Sequence, residues 1–272
     1  MPDTRKRARG RPRSLADTSS QNTIRSLDRA LDILKEISLS DSVSLTELAQ
    51  RTGQSVATVY RVLTTFSIHE MVEMDEASQT WSVGPGAFRI ASRFLHRNNL
   101  HNASRPIMRE LMNATNETAN LGIEQKDHVL FLAQVETHQS IRAFFSPGSQ
   151  NPMHASGIGK ALLAHFSEER VRSIATKVGL ERFTDNTITE IGGLLKELAV
   201  IRRQGFAFDN EERTEGMRCI ASPVFDPYGE PLAGISISGP SFRIPLNAVN
   251  ELGHKVRDAA AKLTTSMGGV QP

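Results

Sequence analysis

A helix, a glycine turn and a second helix follow one another between residues 44 and 66, and this pattern constrains the fold most strongly. Ser44 is a typical N-cap, and Glu47 completes a capping box that starts a short helix ending at about Arg51. Gly53 supplies the turn, and Ser55 caps the next helix. The inward positions of that helix recur at helical spacing and are Val59, Leu63 and Phe66. The segment therefore predicts a helix-turn-helix.

An amphipathic helix precedes this motif and a hairpin follows it. The preceding helix is predicted to end near Ser38. Its predicted apolar face comprises Leu27, Ala30, Leu31, Leu34 and Ile37, with Ile33 beside them. Two alternating segments, 71–75 and 80–84, flank a polar turn and predict a hairpin. Trp81, in the second segment, is expected to pack this hairpin against the helices. Together these elements predict a winged helix-turn-helix domain over residues 24–86.

The outward face of the helix after Gly53 has residue types that suit the major groove of DNA. Ser55, Ala57 and Thr58 would reach base edges or thymine methyl groups, whereas Tyr60 and Arg61 would contact phosphates. The alternative is an ordinary solvated helix face. The predicted DNA-contacting residues of this domain are Ser44, Thr46, Ser55, Ala57, Thr58, Tyr60, Arg61 and Thr64.

The first 13 residues are strongly basic, although the formal net charge of the whole chain is only +2. The segment Arg9-Gly10-Arg11-Pro12-Arg13 resembles an AT-hook, whose arginines enter a narrow minor groove. Residues 1–23 are therefore predicted to be a disordered basic arm in which Arg9, Arg11 and Arg13 contact DNA. The alternative is a tail that only improves solubility.

Composition limits the class of protein. A length of 272 residues suggests two domains, and 39% hydrophobic residues with a mean hydropathy of −0.31 are typical of a chain that buries a core in water. The sequence has neither an apolar run of roughly 20 residues nor a secretory signal pattern. A single cysteine, Cys219, excludes an intramolecular disulfide and a cysteine-based zinc cluster. We therefore expect a cytoplasmic protein with no metal and no cofactor.

The C-terminal half is predicted to be an α+β domain over residues 102–268. A linker helix over 87–101 precedes it, with an apolar stripe that could form a dimer contact and comprises Phe88, Ala91, Phe94 and Leu95. Strand patterns occupy 118–124, 128–136, 141–145, 205–209, 218–225 and 231–238, and helix patterns occupy 156–178, 188–204 and about 245–265. Clustered strands with helices between and after them favour an antiparallel sheet covered by helices.

The sequence resembles the IclR-type transcriptional regulators over nearly its whole length. One motif is the helix-turn-helix at 45–63, and three further motifs follow in order. They are 153–161 (MHASGIGKA), 205–212 (GFAFDNEE) leading to 216–224 (GMRCIASPV), and 235–240 (ISISGP). The resemblance implies a GAF-like effector-binding domain, and its motifs are closest to the acetate- and allantoin-regulator branch.

A small-molecule pocket is predicted in this domain. Ser236 and Ser238 alternate with isoleucines, so both hydroxyls share one face of a strand and need hydrogen-bonding partners there. The glycines of 157–159 open a helix whose free N–H groups suit an anion, although this segment is neither a Walker A loop nor a dinucleotide fingerprint. By resemblance, the residues matching glyoxylate- or pyruvate-binding positions are Gly157, Gly159, Ala161, Asp209, Cys219, Ser236 and Ser238. Ser156 and Ile158 complete the predicted set.

Other interpretations of these residues remain open at this point. An isolated glycine-rich helix start is usually only structural, and a lone cysteine such as Cys219 is usually a small buried hydrophobe. Glu211 and Glu212 are expected to be solvated or interface charges. Asn151 occupies a position before the Pro-Met-His motif where relatives often have leucine, which would alter the rim of the pocket.

The function predicted from these features is sequence-specific DNA binding modulated by a small 2-oxo acid, with glyoxylate favoured and pyruvate or another short carboxylate as the alternatives. A homodimer or a dimer of dimers is expected to bind a pseudo-palindromic operator, with no membrane partner. One alternative is an architectural protein of A·T-rich DNA without a ligand response. A hydrolase is the other, but the sequence lacks a G-x-S-x-G elbow, an H-E-x-x-H motif and a C-x-x-C motif, and a hydrolase would leave the basic arm unexplained.

Overall fold

The computed structural model of the chain describes residues 23–97 and 100–272. The chain divides into two compact units, with the boundary between Arg93 and Phe94. The arginines predicted to contact DNA from the N-terminal arm, Arg9, Arg11 and Arg13, lie outside the described residues. Each unit has its own buried core.

The first unit is a small helical domain closed by a three-stranded antiparallel sheet in the order β1-β3-β2. Its core contains Trp81, which is only 6% exposed and packs the hairpin against the helices as expected from the sequence. The elements of the unit are α1 (Arg25–Ile37), β1 (Val43–Ser44), α2 (Leu45–Thr52), α3 (Val56–Ile68), β2 (Val72–Asp75) and β3 (Thr80–Val83). Helix α4 (Pro85–Arg97) follows and spans the boundary.

Local hydrogen bonds explain where α2 and α3 begin and end. The Ser44 hydroxyl accepts from the backbone N–H of Glu47, and the Ser55 hydroxyl accepts from that of Thr58. Gly53 ends α2 in the left-handed conformation, which glycine adopts without a steric penalty. In the predicted capping box the Glu47 carboxylate would accept from the backbone N–H of Ser44. In the structure it accepts from the Arg51 guanidinium at 2.6 Å.

The buried face of α1 matches the predicted one only in part, at Leu34 and Ile37 with Ile33 beside them. Ile33 and Ile37 are fully buried, whereas Leu27 is 53% and Leu31 is 43% exposed. Ile33 and Ile37 are four positions apart and share one side of the helix, with Leu34 packed beside them. Leu27 and Leu31, which the sequence placed in the core, therefore face solvent in the isolated chain.

The second unit is built on a six-stranded antiparallel sheet in the order β6-β5-β4-β9-β8-β7. Its strands are β4 (Thr118–Gln125), β5 (His128–Val135), β6 (Gln150–Pro152), β7 (Ala207–Asn210), β8 (Met217–Phe225) and β9 (Pro231–Pro240). Its helices are α5 (Leu100–Thr115), α6 (Gly157–Leu163), α7 (Glu168–Val178), α8 (Ile191–Gln204) and α9 (Val249–Ser266).

Each face of this sheet packs against different helices. On one face, apolar side chains such as Ile220, Ile235 and Ile237 form a core with residues of α5 and α9. On the other face, Phe131, Ala207 and Ala221 pack with residues of α6, α7 and α8. The second face contains the polar positions discussed below, because successive residues of a strand point to opposite sides.

Four predictions of secondary structure were wrong in this unit. The predicted single helix over 156–178 is two helices, because Ser167 caps α7 after a turn at 164–167. The final helix begins at Val249, after a 3₁₀ turn at Leu246–Ala248. The third error concerns the predicted linker helix over 87–101. In its place the structure has α4 (Pro85–Arg97) and the start of α5 (Leu100–Thr115), and α5 was not predicted.

The fourth error concerns the predicted strand at 141–145, which is an irregular loop. Strand β6 pairs with β5 through Val129 and Asn151 and so occupies that edge of the sheet. The apolar residues of the loop divide between solvent and interior, with Phe144 64% exposed and Ala143 fully buried. Phe145 stacks on Phe131 with ring centroids 4.8 Å apart.

Candidate functional site

The strand register brings the predicted pocket residues of the sheet into one row. Asp209 of β7 pairs with Cys219 of β8, Cys219 pairs with Ser238 of β9, and Ser238 pairs with Thr118 of β4. Paired residues of neighbouring antiparallel strands project to the same face. The next row on that face contains Ser236. Residues separated by more than 110 positions in the sequence thus meet on one surface.

A small cavity lies between this surface and the start of α6. Its volume is about 20 Å³, counted as the space open to the centre of a water-sized sphere. Seven of the predicted residues line it, namely Ser156, Gly157, Ile158, Asp209, Cys219, Ser236 and Ser238. A β-carbon at Gly157 would lie 2.8 Å from the Cys219 sulfur, so glycine at this position keeps the inner wall open.

The two remaining predicted residues lie elsewhere. A β-carbon at Gly159 would overlap the carbonyl oxygen of Met153, so this glycine permits close packing of α6 on the preceding turn. Ala161 is fully buried in the core between α6 and the sheet. Neither residue lines the cavity, and their predicted contact with an effector has no geometric support here.

The serine hydroxyls on the inner wall keep protons that a ligand can accept. Asn120 Nδ2 donates to Ser236 Oγ at 3.4 Å and to Ser238 Oγ at 3.2 Å. The amide is itself oriented by Gln134, whose Nε2 donates to Asn120 Oδ1 at 3.1 Å. Because each hydroxyl oxygen accepts from Asn120, its proton is available to an acceptor in the cavity.

Asp209 is an unusual carboxyl group at the same wall. It is 7% exposed, and burial followed by the neighbouring Glu212 carboxylate raises its pKa to about 7. Oδ1 of Asp209 accepts from the backbone N–H of Glu212 at 2.9 Å. At neutral pH this side chain therefore exists in both protonation states, and its proton can be donated to a ligand.

Cys219 completes the inner wall as a neutral thiol. Burial, and secondarily the charge of Asp209, raises the pKa of Cys219 to about 12. A thiol with this pKa is neither a ready nucleophile nor a metal ligand at neutral pH. The described residues include no group of three or more His, Cys, Asp or Glu side chains placed to hold a metal ion.

A buried ion cluster supports Asp209 from behind. Lys160 of α6 is fully buried, binds the Glu212 carboxylate, donates to Phe208 O at 2.7 Å and lies 3.4 Å from Glu197. Burial opposes the charge on Lys160, but the surrounding carboxylates outweigh it and raise its pKa. The sequence interpretation of Glu212 as a solvated charge was wrong, since it is 4% exposed and its Oε2 has no hydrogen-bond partner among the described residues.

Sequence reasoning missed six residues that line the cavity. They are Phe131, Phe145, Asn151, Arg213, Thr214 and Met217. Asn151 was noted only as a departure at the pocket rim. Phe131 and Phe145 lie outside the recognised motifs, and Arg213 and Thr214 lie between two of them. Met217 lies inside the motif 216–224 but was not singled out.

On the first unit, the predicted DNA-contacting residues lie on or beside α2 and α3. Thr46, Ser55, Ala57, Arg61 and Thr64 are exposed, as is Tyr60 at 54%. Ser44 and Thr58 are partly buried, because the first caps α2 and the second packs beside the cap of α3. The Thr64 hydroxyl donates to Tyr60 O at 2.9 Å.

Comparison with known proteins matches both units. Residues 26–76 match the IclR helix-turn-helix domain, and residues 92–265 match the bacterial transcriptional regulator IclR C-terminal domain. The chain belongs to the IclR family of transcriptional regulators. Its α+β architecture, with an N-terminal winged helix-turn-helix and a C-terminal domain on a curled antiparallel sheet, is the one expected from the sequence.

Several full-length relatives share this organisation. The HTH-type transcriptional regulator BhcR of Paracoccus denitrificans is 49% identical over 96% of this chain and 95% of its own length. The Transcriptional repressor IclR of Escherichia coli is 39% identical, with 97% of each chain covered. The crystal structure of Thermotoga maritima IclR is 28% identical, superposes with a TM-score of 0.77 and covers 90% of this chain and all of its own. These relatives are regulators and not enzymes.

Proposed function

We propose that this IclR-family regulator binds an operator in double-stranded DNA with α3 and its wing, and that a small 2-oxo acid in the cavity changes the operator affinity. Glyoxylate is the effector that we favour over pyruvate. The observation that carries the proposal is the inner wall formed by Asp209, Cys219, Ser236 and Ser238 around a cavity of about 20 Å³. On this measure one water needs roughly 10–15 Å³, so the cavity favours a small ligand over a large one.

The chemistry of the wall fits an oxygen-rich ligand. The hydroxyls of Ser236 and Ser238 and, when it is protonated, the carboxyl group of Asp209 line the cavity, and buried donors of this kind require acceptors. An aldehyde, keto or carboxylate oxygen supplies them. Phe131, Phe145 and Met217 also line the cavity and limit the size of the group that a 2-oxo acid can carry on its carbonyl carbon. This limit favours glyoxylate over acids with longer chains.

The effector would act through a difference in its affinity for two arrangements of the protein. A ligand that binds the DNA-competent arrangement and the other arrangement equally cannot change operator affinity. Whether glyoxylate strengthens or weakens DNA binding depends on which arrangement holds it more tightly. We leave both signs open and propose only that the two affinities differ.

The acting form is proposed to be a homodimer or a dimer of dimers in the cytoplasm. Helix α4 exposes Phe88 at 70% and Ile90 at 65%, and apolar side chains of this size in water favour burial against a second copy. Phe88 was part of the predicted stripe, whereas the side chains of Phe94 and Leu95 lie outside the described ones. None of the described helices is long and apolar enough to cross a bilayer.

The test is effector binding to the full chain, measured by titration calorimetry with glyoxylate and pyruvate. The double variant Ser236→Ala/Ser238→Ala should lose measurable binding and the effector's influence on DNA affinity, while unliganded DNA binding persists. Ser222→Ala is the matched control, because Ser222 is equally buried on β8 but faces the opposite side and donates to Gly205 O at 2.8 Å. Retained effector binding in the double variant would place the effector elsewhere.

A further inference from the structure

One cation that lines the cavity has no carboxylate partner among the residues that the structure describes. Arg213 lines the cavity and is half-buried, and its guanidinium lies 4.0 Å from the ring centroid of Phe183. Among residues 23–97 and 100–272, no carboxylate lies within 4.0 Å of this guanidinium. A partly buried guanidinium without a carboxylate is an anion-binding group that is not yet used.

The turn that carries Arg213 is held on both sides. The Thr184 hydroxyl donates to Glu211 O at 2.7 Å, and the Thr187 hydroxyl donates to Glu212 O at 2.6 Å. After Arg213, the backbone N–H of Gly216 donates to the Glu211 carboxylate at 2.8 Å. Stacking on Phe183 orients the guanidinium plane as well. The group is therefore preorganised, and a ligand need not pay for ordering it.

Apart from the backbone N–H groups at the start of α6, the other polar groups of the cavity wall suit an anion less well than Arg213 does. Asp209 is ionised for part of the time at neutral pH and then repels a carboxylate. Ser236 and Ser238 offer hydroxyl protons but no positive charge, and Lys160 is occupied by Glu212 and Glu197. Burial lowers the pKa of His154, and the positive charge of Arg213 lowers it further.

We infer that Arg213 binds the carboxylate of the effector, so that its carbonyl oxygen points inward to Ser236, Ser238 and Asp209. The inference rests on the proposed function and adds an orientation to it. It also assigns the discrimination between acids and uncharged carbonyl compounds to one residue. The inner wall alone recognises an oxygen atom, whereas the guanidinium requires a negative charge.

The test is a cycle of two proteins and two ligands, measured by calorimetry on the full chain. The ligands are pyruvate and pyruvamide, which differ in charge and little in size, and the proteins are the wild type and Arg213→Gln. Loss of a charge-assisted hydrogen bond should weaken pyruvate binding about 10- to 100-fold. Pyruvamide binding should change less than about threefold, and Arg213→Lys should recover part of the pyruvate affinity.

Arg182→Gln is the matched control, because Arg182 lies in the neighbouring loop, is exposed and does not line the cavity. It should leave pyruvate binding within about twofold, since an exposed charge acts weakly across water. If Arg213→Gln weakens both ligands equally, or neither, the assigned orientation is wrong even though the pocket stands. If the wild type binds no 2-oxo acid at all, the proposed function itself fails.

Discussion

The two units of this regulator display their functional groups in opposite ways. On the first unit, candidate DNA contacts such as Tyr60 and Arg61 are exposed on one 13-residue helix, and each is close in sequence to the others. In the second unit, Asp209, Cys219 and Ser238 are at most 8% exposed and come from three different strands. A surface for DNA is thus encoded locally, whereas a pocket for a small ligand depends on the register of the whole sheet.

This contrast predicts that the largest effect comes from breaking the ion cluster behind the pocket. Lys160→Met would leave the buried carboxylate of Glu212 and the partly exposed carboxylate of Glu197 without their cation, at a cost of about 3–5 kcal/mol in the free energy of unfolding. Far-UV circular dichroism during urea unfolding should show this loss. Trp81 is the only tryptophan and lies in the first unit, so its fluorescence should report a nearly unchanged transition there.

Lys177→Met is the control for that comparison. Lys177 also pairs with a carboxylate, that of Asp127, but its side chain is 70% exposed. The expected cost is below about 1 kcal/mol. Equal costs for the two variants would contradict the role given to burial in the second unit.

The next effect concerns the arm, which lies outside the described residues. Arg9→Ala/Arg11→Ala should lower operator affinity and make its dependence on salt shallower, by about 2 in the slope of log K against log salt. Binding at several salt concentrations measures that slope. Arg105→Ala/Arg109→Ala removes the same charge from exposed positions of α5 and should leave the slope unchanged. An unaltered slope in the arm variant would mean that these arginines do not contact DNA.

A smaller effect follows from the pKa of Asp209, which burial raises to about 7. A bound anion raises this pKa further, so above pH 7 the complex retains a proton that the free protein has released. Effector affinity should then fall as pH rises above 7, by up to about tenfold per pH unit, and be level below it.

Asp209→Asn should flatten the pH profile of effector affinity. Cys219→Ser should leave the shape of the profile unchanged, because the pKa of Cys219, at about 12, lies far above this range. The same decline in the Asn variant would show that another group carries the proton.

The smallest effect is expected at the cap of α3. Ser55→Ala removes the hydroxyl that accepts from Thr58 N at 3.2 Å and should cost the first unit about 1 kcal/mol of stability, monitored by Trp81 fluorescence. Ser55→Asp keeps a capping acceptor and should restore stability, yet it should weaken operator binding because it adds a negative charge to the surface proposed to face DNA. A variant that restores both properties would remove Ser55 from the DNA-facing surface.

Sequence reasoning was most successful where local patterns decide the structure. The caps at Ser44 and Ser55 and the turn at Gly53 were correctly placed, because each depends on hydrogen bonds within a few residues. The face of α1 was wrong in part because two apolar stripes compete on that helix. Helical periodicity alone cannot determine that Ile33 and not Leu31 meets the core.

The pocket shows the same limit. Alternation along β9 placed the hydroxyls of Ser236 and Ser238 together, but it could not identify Asn120 as the residue that orients them. That contact is set by the pairing of β4 with β9, more than 110 residues away. Arg213 was missed because it lies between two recognised motifs. Its candidate role depends on two features of the fold, namely that no carboxylate of the described residues lies near its guanidinium and that the guanidinium stacks on Phe183.

The most direct test of the account is a mobility shift of the full chain on DNA from upstream of its own gene, with glyoxylate, pyruvate or a matched salt. We expect a shift that changes with glyoxylate at a lower concentration than with pyruvate and not with salt alone. The Ser236→Ala/Ser238→Ala protein should give the same shift without the response. A wild-type shift indifferent to both acids would contradict the account of the cavity as an effector site.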